Sequence, residues 1–108
     1  PLQQTHREEE LRAAQMIGHQ LRSTLAVYRF HRETVKLMGE HGLTAPCALP
    51  KTPELTEIMG AEIANCEAAL PLLDADPRLG FHEECRTYKY NAAMVREKIA
   101  AMRQELAA

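Results

Sequence analysis

Polar and apolar positions alternate along the first third of the chain with a helical period. Leu11, Ala14, Gly18, Leu21, Leu25, Tyr28, Arg32 and Val35 recur at alternating spacings of three and four, and Ile17, Val27, His31 and Met38 widen the stripe. Such a stripe predicts a helix with one covered face. With no proline between Pro1 and Pro46, the helix can run from about residue 6 to about residue 40. Thr5 and Glu8 have capping-box spacing, in which the threonine oxygen and the carboxylate each accept an otherwise unpaired backbone N–H, so the start falls there. His41-Gly42 predicts the end, because glycine accepts the left-handed conformation that closes a helix.

Residues 43–51, with two prolines and no periodicity, read as a reversal of the chain. Thr52-Pro53-Glu54 then combines a preferred N-cap, proline at the first helical position and an acid at the positive end of the dipole. The second helix is expected over residues 53–72. It carries Leu55, Ile58, Met59, Ile63, Cys66, Ala69, Leu70 and Leu73 on one face, with Glu54, Glu57, Glu62 and Glu67 largely on the other. Pro71 cannot donate to the Glu67 carbonyl, which predicts an end or kink between Leu70 and Asp74. Asn91 is a good N-cap, and Met94, Val95, Ile99, Met102 and Leu106 predict a third helix over residues 92–106.

The one β-rich string, Arg86 to Tyr90, is short and has no partner. The expected fold is therefore all-α: a three-helix up-down-up bundle with one long N-terminal helix and a structured irregular connector before the last helix. Leu21, Leu25, Ile63, Leu70, Ile99 and Met102 are its expected common core. At 1.5 Å per residue the first helix is about 50 Å long, against about 30 and 23 Å for the others. Part of its stripe then lacks cover from its own chain. Either the connector folds over one end of it or the surface is left for another copy or the remainder of a parent protein, and the second is the expectation.

Composition narrows the functional classes. The 108 residues suit a single domain, and a formal charge of −2 offers no field for a phosphate backbone, so nucleic acid is not an expected partner. No apolar run reaches the roughly 18 residues that a membrane span needs. Cys47, Cys66 and Cys85 are odd in number, so they cannot all pair within the chain. The chain begins at Pro1, and the expectation is a fragment or C-terminal domain of a longer protein, with the compartment left open.

Candidate chemistry gathers in the connector. His82 and Cys85 have metal-ligand spacing, with His31, His41, Cys47 and Cys66 available to complete a set. No second close-spaced ligand pair accompanies them, so Cys66 is expected in the core and no metal or other cofactor is expected. Asp74 with Asp76, and Glu83 with Glu84, are too close together to flank a glycosidic bond. Arg78, His82, Arg86, Tyr88 and Tyr90 are the candidate ligand or partner surface, since flat rings and guanidinium groups recognise sugars and proteins well. The competing reading makes the connector a seal for the end of the bundle, with Arg78 paired to Asp76 or a helix end, Leu79 and Phe81 pointing inward, and Gly80 in a conformation that other residues avoid.

The run from Asn65 through Asp76-Pro77-Arg78-Leu79-Gly80-Phe81 to His82 resembles a segment near the C-terminus of large bacterial glycoside-hydrolase-like proteins. There, an Asn-, Ala- and Leu-rich helix leads into an acid-Ser-Arg-Leu-Gly-aromatic turn, an aromatic stretch and a last helix with a Lys-Ile pair. Tyr88, Tyr90 and Lys98-Ile99 continue the match, and Pro77 departs from it where serine is usual, as does Cys66 in the helix. The likeness covers roughly the last 45 residues. It implies a non-catalytic helical accessory domain of a carbohydrate-processing parent, with the catalytic carboxylates elsewhere and contacts to glycan or to neighbouring domains. The alternative reading is a free-standing helical adaptor that dimerises or binds a partner through the long first helix.

Overall fold

A long helix, α1 (Leu2–His41), is followed by α2 (Pro53–Ala75), a single 3-10 turn (Pro77–Leu79) and α3 (Ala92–Ala107) in the computed structural model, which describes residues 2–42, 51–80 and 91–107. The described residues form an all-α fold in which α2 packs between its neighbours. Pairing runs in opposite senses at each step: Ser23 meets Glu62 while His19 meets Asn65, and Asp74 meets Arg96 while Glu67 meets Arg103. The chain therefore runs up, down and up, and the 60 Å long axis of the molecule is set by α1.

Local chemistry explains most boundaries. Thr52 Oγ1 accepts the N–H of Leu55 at 3.3 Å with Pro53 at the first helical position, and Asn91 Oδ1 accepts the N–H of Met94 at 2.9 Å. Gly42 closes α1 at φ 63°, in the left-handed region expected of it. Two boundaries differ from the sequence reading. α1 is already helical at Leu2, so Thr5 lies inside the helix and does not cap it. α2 continues through Pro71 to Ala75. The carbonyl of Glu67 that loses its donor belongs to an exposed residue, where water can replace the bond. The Asp76 N–H still donates to Leu72 O at 2.9 Å.

The core is Met16 from α1, Ile63, Cys66, Ala69 and Leu73 from α2, and Val95 and Ile99 from α3, with Leu70, Leu79 and Met102 packed around it. Ile63 and Ile99 are buried as expected, and Leu70 and Met102 are partly so. Leu21 and Leu25 are not: they are 66% and 46% exposed. α1 turns its other face inward, placing Met16, Thr34 and Leu37 in the interior. That face carries polar side chains whose partners lie on α2 and α3, and apolar periodicity does not register such positions. Glu62 belongs with this correction, since its spacing from the other glutamates predicts the outer face of α2 and the structure buries it.

Candidate interaction face

Two features stand out on the assembled bundle: a polar knot in its interior and an apolar seam on its outside. In the knot, Glu62 Oε1 accepts from Ser23 Oγ at 2.9 Å and from Cys66 Sγ at 3.0 Å, and lies 3.4 Å from Lys98 Nζ. Lys98 also donates to Ser23 Oγ at 3.2 Å. One carboxylate thus ties all three helices together. A second polar contact lies one turn away, where Asn65 Nδ2 donates to the backbone oxygen of His19 at 2.8 Å. That orientation leaves Asn65 Oδ1 accepting from Arg22 Nε at 3.2 Å, with His19 Nδ1 lying 2.8 Å from Asn65 Oδ1 and 3.1 Å from Arg22 Nη2.

Beside the knot, α1, α2 and α3 enclose an apolar cleft of about 430 Å³ walled by Val27, Phe30, Ile58, Met59 and Met102. Thr34 Oγ1 and Glu62 Oε2 belong to the same wall and have no hydrogen-bond partner among the described residues. Both atoms are closed off from solvent, and His31 and Lys98 are the other polar side chains of a lining that is otherwise apolar.

The seam is the stripe first visible in the sequence, now on the outer side of α1, where one of its edges, Ala14, Gly18 and Leu25, borders shallow clefts shared with Ala68, Leu72, Ile58 and Ala61 of α2. Leu11, Leu21, Leu25, Tyr28 and Val35 are all about half exposed or more, and Ile17 flanks them. Spacings of three and four make a seven-residue repeat with Leu11, Gly18, Leu25 and Arg32 in one row and Ala14, Leu21, Tyr28 and Val35 in the other. This is the pattern by which one helix packs along another. Gly18 sharpens the point. A Cβ there would meet only the Arg22 guanidinium, at an ordinary 3.5 Å, and its φ is unremarkable. Glycine inside a helix costs about 1 kcal/mol relative to alanine, and nothing among the described residues requires it.

The residues nominated from the connector divide. Arg78 is described: its Nε and Nη2 donate to the two oxygens of Asp76, each at 2.9 Å, and the Arg78 N–H donates to Asp76 Oδ1 at 3.1 Å. These side-chain hydrogen bonds chiefly hold the Asp76 carboxyl below its ordinary pKa, helped by the backbone N–H and the charges of Arg78 and Arg12 against a partial desolvation. Leu79 packs on the core as expected, whereas Gly80 is extended, at φ −77° and ψ 157°, and needs no glycine-specific conformation. His82, Arg86, Tyr88 and Tyr90 lie outside the described residues, as do Phe81, Cys47 and Cys85. Among the described residues no three His, Cys, Asp or Glu side chains gather as a metal site, and no helix is long and apolar enough to cross a membrane. No protein-family model matches the chain, and no curated protein or solved structure does.

Proposed function

We propose that the chain is a non-catalytic helical module that acts by pairing the outer face of α1 with another helix. The observation that carries this reading is the seven-residue repeat from Leu11 to Val35, exposed on a helix whose opposite face is already packed. On the order of 600 Å² of apolar surface is left in one strip, at the upper end of what monomeric proteins normally leave open. Glu62 Oε1, Ser23, Cys66 and Lys98 are engaged in holding the three helices together, which suits a scaffold. An accessory role beside a carbohydrate-active domain remains a proposal from the resemblance of residues 65–82, and the seam is the surface that such a neighbour would cover.

The test uses a designed 28-residue helix with leucine in both core rows and glutamate along its flanks. It should bind the dilute protein, read by fluorescence anisotropy, and fail to bind Leu21→Ser/Leu25→Ser while that variant keeps its helix content. Equal binding to both proteins would remove the seam as the pairing surface.

A further inference from the structure

Resting on that reading, we propose that the helix covering the seam is α1 of a second copy of this chain, docked antiparallel about a two-fold axis level with residue 23. The seam is self-complementary in this direction and in this register. Leu21 then lies against Leu25 of the second copy on both sides of the axis. Moving outward, Gly18 faces Tyr28, Ala14 faces Arg32, and Leu11 faces Val35, each contact occurring twice by symmetry. The two smallest residues of the seam meet its two largest. This supplies the reason for a glycine that the single chain does not require: the Tyr28 ring of the second copy occupies the space where a side chain at position 18 would stand.

A parallel pair has no such match. It would stack Arg32 on Arg32 within the apolar seam, set Gly18 against Gly18 and Ala14 against Ala14, and leave gaps between crowded layers. Like charges in such a layer oppose association, and gaps forfeit contact.

Charge along the flanks points the same way. Antiparallel helices bring matching flank rows together, and here that row reads Glu8, Gln15, Arg22, Arg29 and Lys36. Glu8 meets Lys36 of the second copy at both ends of the pair, and Gln15 meets Arg29. The central Arg22 would meet its own copy, but its guanidinium is drawn toward its own chain by Asn65 at 3.2 Å. Glu8 accepts from Gln4 on the same surface at 3.5 Å and remains exposed. Pairing would remove on the order of 1,200 Å² in total from water, the lower end of stable interfaces, so a weak to moderate dimer is expected.

Sedimentation equilibrium from micromolar to millimolar concentration is the test. The wild type should dimerise. Glu8→Lys and Lys36→Glu, both on exposed positions, should each weaken the dimer on the order of tenfold by turning two attractions into repulsions. The double variant Glu8→Lys/Lys36→Glu should return to within about threefold of wild type, because the swapped charges meet again. A double variant no better than the weaker single would overturn the antiparallel register. A wild type that stays monomeric at millimolar concentration would overturn the second copy as occupant, while binding of the designed helix would still stand or fall separately.

Discussion

The orientation of α1 can be tested by truncating one residue on each of its faces. Met16 is 1% exposed and sits among Cys66, Ala69, Leu73 and Val95, whereas Leu21, five residues later, is two-thirds exposed. Met16→Ala removes a long side chain from a closed interior. It should cost about 2 to 5 kcal/mol, depending on how far α2 can relax into the space. For a chain of this length, about 3 kcal/mol corresponds to a fall in Tm of roughly 12 to 24 °C. Leu21→Ala removes surface that water already reaches and should change the dilute monomer by no more than about 0.5 kcal/mol. Thermal unfolding followed by circular dichroism at low micromolar concentration measures both, and repeating it at high concentration separates the seam from the core, since association stabilises only what associates. If dilute Leu21→Ala loses as much as Met16→Ala, the inner and outer faces of α1 have been assigned the wrong way round.

Two further outcomes follow from the polar contacts. Lys98→Met should destabilise by about 2 to 3 kcal/mol in urea titration, because Glu62 stays buried without its cation, and Glu62→Leu/Lys98→Met should recover most of that loss. Asp76→Asn should lower stability near neutral pH and converge with wild type in acid. A carboxylate whose folded pKa is depressed stabilises fully above its unfolded pKa, and that stabilisation is lost as pH falls through the folded value. Parallel pH curves for the two proteins would remove the Asp76–Arg78 contact from the stability of the turn.

The sequence was most legible where one residue type has one local job. Thr52 with Pro53, Asn91 and Gly42 marked helix ends that the structure places within a residue or two, because capping depends on neighbours three or four positions away. The inward side of α1 was not legible in the same way. Its apolar stripe is real, but most of it lies on the exposed side of the helix. What turns α1 is the match of Ser23 to Glu62 and of His19 to Asn65, at separations of 39 and 46 residues, and a single sequence carries no local sign of such pairs. The same blindness put Glu62 outside. A glutamate on a helix with three other glutamates reads as solvated until the lysine 36 residues later is seen beside it. Arg78 was legible because its acid is two residues away.

The three-helix knot at Glu62 also sets the order in which this protein can become stable. A hairpin of α1 and α2 alone would enclose a carboxylate with a hydroxyl and a thiol beside it and no cation, since Lys98 belongs to the last helix. The hydrogen bond from Lys98 to Ser23 spans 75 residues, so the step that completes the interior must wait until both distant parts of the chain have been made. The same helix brings the cation to Glu62 and Val95 and Ile99 to the core, so neutralising the buried charge and closing the interior are one structural act.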